Sequence, residues 1–235
     1  MTLRVVVLQS NYLPWIGYFD LIDRADICVF YDDVQYTKND WRNRNKIPTQ
    51  KGLEWLTVPV GQSISRLINQ VEIHDTNWQK EHHRKITNAY RIDDKDTWSH
   101  ELLHAIFIRK HWANLSELNQ ETIKLIAREY LNVETHFDSS INYNLEGKGE
   151  VRLLSLLKHL QATHYLSGPA GKNYLNTKSF EEAGIELDYI KYPVYSRYEQ
   201  IHAPFVSNVS VIDLLLNNRS AAKNYLREQK REAVD

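Results

Sequence analysis

An α/β fold with a mainly parallel sheet flanked by helices is the architecture this sequence predicts, and three observations predict it. Short β-branched apolar runs at residues 4–8 and 27–31 have the length of buried strands. Between them, residues 17–24 place Tyr18, Leu21 and Ile22 at helical spacing, which makes a strand–helix–strand unit. Further short apolar runs at 163–166 and 187–192 each follow a stretch with helical character. Such units build parallel, Rossmann-like sheets, although the G-x-G-x-x-G dinucleotide fingerprint is absent.

The remaining elements follow in order. Residues 55–60 (WLTVPV) and 70–74 are strand candidates, with Pro59 suited to a strand end. Residues 77 to 133 read as helical, with Ser116 as an N-cap in the last of three stretches. Residues 150–160 form another amphipathic helix, and residues 180–183 end at Gly184 as a C-cap. Residues 210–216 are a late apolar helix, and the tail from Arg219 is charged and helical or frayed. With no repeat or linker, residues 1–235 are read as a single α/β domain carrying a helical insertion at about 77–133.

Composition restricts the function classes. A net charge of −1 gives no basic excess, so DNA is not an expected partner. The N-terminus lacks a secretory signature and no run is long enough to cross a bilayer, so membrane insertion is not expected. The lone cysteine, Cys28, excludes an internal disulfide and reads as a core thiol. A cytoplasmic protein is expected.

Candidate site residues gather in five stretches. LQSNYLPWIGYF puts Gln9, Asn11, Tyr12, Trp15 and Tyr18 in and just after the turn that leaves the first strand. Bulky amphipathic rings there suit the floor of a ligand site, because open α/β sheets bind ligands at their carboxyl edge. At the end of the second run, Asp32, Asp33 and Gln35 share that edge. Their carboxylates can hold a hydroxyl or act as a base, or simply make a turn. Trp41, Arg42, Asn43, Arg44 and Lys46 follow, a cationic, amide-rich stretch suited to phosphate or to a solvated loop. YLSGPAGKNYL supplies Ser167, Gly168, Gly171, Lys172 and Tyr174, an anion cradle or a tight strand-to-helix turn, but no Walker A motif. Late in the chain Gln200 and His202 form a fifth stretch, with His202 as a loop base or a structural histidine. His100-Glu101-x-x-His104 also spells the H-E-x-x-H zinc pattern on a helix, without the longer signature's third histidine.

Taken together, LQSNYLPWIGYF, YDDVQY with WRNRNK, WLTVPV, YLSGPAGKNYL and YEQ…FVSNVSVIDLL resemble the WbqC-like family, in family order over residues 4 to 217. Ser10 stands where the family usually has proline, and the middle helices lie outside the shared pattern. The resemblance implies a cytoplasmic enzyme of bacterial O-antigen (lipopolysaccharide) or other surface polysaccharide synthesis. It would be a transferase acting on a nucleotide-linked amino sugar, its partners being that sugar and an acyl or aminoacyl donor. Asp33 or His202 would take a proton and Ser167 would support an oxyanion. No cofactor or metal is implied, and pairing with a second copy is compatible with the sequence. Two other readings stay open: a nucleotide-sugar-binding protein without chemistry, and a zinc-dependent hydrolase using His100, Glu101 and His104.

Overall fold

The structure, a computed structural model, describes residues 2–226. Seven strands and seven α-helices are named here in chain order. Five strands form one parallel sheet: β1 (Arg4–Leu8), β2 (Ile27–Phe30), β5 (His136–Ser139), β6 (His164–Ser167) and β7 (Glu186–Tyr189). Their spatial order is β5-β2-β1-β6-β7, and every pairing is parallel. Counting only these strands, the order is 3-2-1-4-5, that of a doubly wound sheet. The order reverses between β1 and β6, and crevices at such reversals hold ligands.

The expected fold class is therefore present, with differences in detail. Residues 70–74 make only an isolated bridge, Glu72 to Asn114, and no strand. Instead β3 (Arg44–Thr49) and β4 (Gly52–Thr57) pair as an antiparallel hairpin outside the main sheet. β3 was hidden because its sequence, RNKIPT, is polar on one side and contains a proline; Ile47 alone carries its apolar signal. The four-residue β5, HFDS, is too short and too polar to show alternation.

The two faces of the sheet bury different side chains, as a period of two requires. Val6, Cys28 and Phe30 face a large core built with α1 (Ile16–Asp23), α2 (Trp78–Ala89), α3 (Thr97–Phe107), α4 (Leu115–Leu125) and α7 (Val211–Asn218). Val5, Val29 and Tyr165 face a smaller core with α5 (Gly149–His159) and α6 (Thr177–Glu182). The middle helices α2 to α4 share the larger core with β1 and β2, so they pack as part of it.

Helix ends follow capping chemistry. Asn114, rather than Ser116, caps α4 by accepting from the Glu117 N–H at 3.0 Å. Ser210 caps α7, its hydroxyl accepting from Ile212 N–H at 3.3 Å. Gly184 follows α6 at φ +72°, a left-handed conformation that favours glycine. Residues 191–209, an irregular strap, run back toward the turn after β1 and are tied down at Tyr195 and Tyr198. Tyr195 donates to the buried Asp20 carboxylate at 2.8 Å, while Tyr198 donates to the buried Asp213 carboxylate at 2.6 Å. The part of the charged tail beyond Leu226 lies outside the described residues. Among the described residues no helix is long and apolar enough to cross a membrane.

Candidate functional site

A cleft of about 700 Å³ opens at the carboxyl edge of the sheet, over the ends of β1 and β6 where the strand order reverses. Val7, Leu8 and Gln9 from β1 and its turn form one side, Tyr165 and Gly168 the other. The turn between β1 and α1 is held from four directions. Ser10 N–H donates to Asp32 at 2.8 Å, and Tyr12 N–H to the Trp41 carbonyl at 2.9 Å. Asn45 donates to the Leu13 carbonyl at 2.8 Å, and Val211 N–H to that of Pro14 at 2.9 Å. Leu13 takes φ 42°, so this clamping holds a non-glycine residue in a disfavoured conformation. The result is a fixed Trp15, whose ring meets Tyr192 edge-on at 5.0 Å and Tyr195 at 6.0 Å.

Aromatic rings dominate the walls. Trp15, Tyr18, Tyr31, Trp41, Tyr165 and Tyr174 line the cleft, and Tyr192 from the strap completes it. Burial pushes the phenols of Tyr18, Tyr31 and Tyr165 up, and that of Tyr192 to about 12. These four are neutral rings with hydroxyls at physiological pH, suited to stacking and hydrogen bonding rather than to taking a proton.

Arg42 is the cation among the lining residues. Its guanidinium donates to Asn11 Oδ1 at 3.1 Å and to Gln9 Oε1, and stands 3.5 Å from Asp40. Two neutral amides thus orient the guanidinium, while the Asp40 carboxylate, at ion-pair distance, offsets part of its charge. Glu150, at the start of α5, is the carboxylate among the lining residues, and it accepts from the Asn176 N–H at 2.5 Å. Sequence reasoning missed Glu150, Tyr31, Tyr165 and Tyr192. The first looks like an ordinary first-turn acid, and the tyrosines sit in apolar strands or beside proline. A signal was available for Tyr31 and Tyr165, which fall at or near the carboxyl ends of strands.

A second lobe of about 430 Å³ adjoins the cleft and shares Asn11, Trp15 and Trp41 with it. Pro14, Asn45, Lys46 and Asn208 complete its walls.

Of the expected site residues, Gln9, Asn11, Trp15, Tyr18, Trp41, Arg42, Gly168 and Tyr174 come together in the cleft, and Lys46 in the adjoining lobe. Others stand apart. Tyr12 is fully buried, its hydroxyl 2.8 Å from His82 Nδ1, so it belongs to the core beneath the turn. Asp32 is buried as well, binding Ser10 N–H, the Ser116 hydroxyl and Gln120, and it joins the turn to α4. Gln35 is exposed and bridges to Leu67. Asn43 is buried and donates to the Val58 carbonyl at 3.1 Å. Arg44 lies over the Trp55 ring, 4.5 Å from its centroid, on the hairpin. Gly171 packs under Ser167, where a Cβ would come within 2.2 Å of Oγ, and Lys172 lies over Tyr189. Gln200 donates to Asp213 at 2.6 Å within the strap's anchor.

The three expected catalytic groups are placed elsewhere too. Asp33 is ion-paired with Arg152 at 2.6 Å and accepts from the Ser140 hydroxyl at 2.5 Å. Burial raises its carboxyl, but the Arg152 and Ser140 bonds outweigh it and the net shift is downward, which makes a poor base. Ser167 is buried, and its hydroxyl donates to the Gly168 carbonyl at 3.2 Å. His202 lines a separate hollow beside α2, with Nε2 2.7 Å from the Ala89 carbonyl. On α3, His100 Nε2 meets the Asp93 carbonyl at 3.0 Å. Among the described residues no three His, Cys, Asp or Glu side chains group as metal ligands would.

Comparison with known proteins agrees with the motif reading. An uncharacterized protein of Mycobacterium tuberculosis, Rv1507c, is 39% identical over 227 residues, covering 95% of this chain and 97% of that protein. No solved structure matches the chain significantly. Residues 9–225 match the WbqC-like protein family, a span that holds nearly every cleft residue, and the chain belongs to that family.

Proposed function

We propose that the cleft binds a nucleotide-linked sugar and that the protein transfers an acyl or aminoacyl group to an amine of that sugar, in bacterial surface polysaccharide synthesis. One observation carries the reading. At the switch point of a doubly wound sheet, flat rings line a cleft that also holds one cation, oriented by two amides and by Asp40. Rings of this kind stack on sugar faces and bases, while a guanidinium suits a diphosphate. Glu150 takes the amine proton, since it is the carboxylate that lines the cleft, held there by the Asn176 N–H, whereas Asp33, Ser167 and His202 do not line it. The family's link with polysaccharide synthesis supplies the biological setting.

Those same three engaged residues favour a second reading, a nucleotide-sugar-binding protein without chemistry. One experiment separates the two. The protein is titrated calorimetrically with nucleotide-linked amino sugars, then incubated with each binder and activated acyl donors, and products are read by mass. Affinity lost in Arg42→Ala, together with an acylated sugar, supports the transferase. Binding without product supports the second reading, and absence of binding defeats both.

A further inference from the structure

The smaller lobe beside the cleft has its own chemistry. Pro14, Trp15 and Trp41 give it apolar walls, and Lys46 projects into it from β3. The Lys46 ammonium has no hydrogen-bond or ion-pair partner among the described residues. Asn45, next to it, is already committed: its amide donates to the Leu13 carbonyl and accepts from Lys46 N–H, each at 2.8 Å. The lobe thus offers an apolar slot with one uncompensated positive charge, in a volume well below that of the main cleft. At the junction stand Asn11, Trp15 and Trp41, none of them a nucleophile. Ser167 is turned onto the Gly168 carbonyl, and Cys28 is fully buried in the core. Nothing at the junction can carry an acyl group between two half-reactions.

Building on the function proposed above, we infer that this lobe is the donor subsite: it seats an activated acyl compound bearing one anionic group on Lys46, and transfer runs directly between two co-bound reactants. In that step the neutral sugar amine forms a C–N bond to the acyl carbonyl carbon. The bond from that carbon to the leaving group breaks, and the leaving group keeps the electron pair. The amine proton passes to the Glu150 carboxylate.

Two stable probes test the subsite: acetonylphosphonate and levulinate, which present the same methyl ketone on a phosphonate or a carboxylate. Each is titrated into the full-length protein, followed by tryptophan fluorescence, with and without saturating UDP. Binding of either probe is expected, and the one that binds identifies the anion. Lys46→Ala weakens it about tenfold, Lys46→Arg retains most of the affinity, and UDP does not displace it. Thermal unfolding verifies that both variants fold. If neither probe binds at concentrations on the order of tens of millimolar, if Lys46→Ala binds like the parent, or if UDP competes, the subsite is wrong. UDP failing to bind while a probe binds through Lys46 would instead overturn the nucleotide-sugar reading and leave the lobe standing.

Discussion

Asp33 and Arg152 are joined by two hydrogen bonds, at 2.6 and 3.3 Å, and Arg152 also lies over the ring of Tyr31, 5.0 Å from its centroid. Tyr31 lines the cleft, so Asp33 acts on the site through one intervening cation.

That chain of contacts makes Asp33 a support for the wall. Asp33→Asn should lower unfolding free energy by about 1 kcal/mol, and adding Arg152→Gln should cost less than the sum of the two. The native carboxyl titrates below its unfolded value, so its contribution is present above pH of about 4 and disappears as pH falls through the native value. Urea unfolding of parent and variant at pH 7 and pH 3 reads this: the difference between them should shrink at the lower pH.

Acid should weaken the core under the turn before it reaches the carboxylates. Burial, with Lys85 adding to it, pushes the His82 pKa from 6.5 down to about 4. Above pH 6.5 the ring is neutral in both states and nothing is lost. As pH falls from 6.5 toward 4 only the unfolded chain takes up the proton, and stability drops by on the order of 3 kcal/mol. Denaturant curves across that window should show the slope. Tyr12→Phe with His82→Phe, which removes both ends of their hydrogen bond, should flatten it.

The strap's second anchor is predicted to be its stronger one. Asp213 is fully buried and accepts from Tyr90 at 2.8 Å, Tyr198 at 2.6 Å, Gln200 at 2.6 Å and Asn217 at 3.2 Å. Asp213→Ala strands the Tyr90 and Tyr198 hydroxyls, while Gln200 and Asn217 keep main-chain acceptors at Val206 and residue 213, and it should cost about 3 kcal/mol. Limited proteolysis should then cut within residues 191–209, where the parent resists.

Binding and stability should separate cleanly between two residues. Arg42→Ala is expected to lower nucleotide-sugar affinity roughly 10- to 100-fold with little change in melting temperature. His202→Ala should do the reverse, costing about 1 kcal/mol of stability for its bond to the Ala89 carbonyl and leaving affinity intact. Calorimetry and thermal unfolding on the same preparations decide both.

The legible parts of this molecule were those written in local pattern. β1 shows as four consecutive apolar residues, and the turn LQSNYLPWIG shows as rings where polar residues are usual. Much of the site could be read because it lies at the ends of those strands. What sequence could not show was partnership. Asp33 looks like a free acid until Arg152, 119 residues later, is seen against it. His202 looks like a loop base until the carbonyl of Ala89 accounts for it. Tyr192 joined the cleft only because Asp20 and Asp213 pin the strap, contacts spanning 175 and 15 residues of chain.

Gly17, second residue of α1, bears the indole of Trp15 directly on its backbone; a methyl there would come within 2.2 Å of the ring. In many sheets of this topology the helix start is bare, and a pyrophosphate rests on its amide hydrogens. Here a slab of tryptophan roofs that spot, so under the proposed function Arg42 is the group left to meet the phosphates. Charge recognition under that proposal moves from main chain to side chain, where salt and a single codon change can tune it.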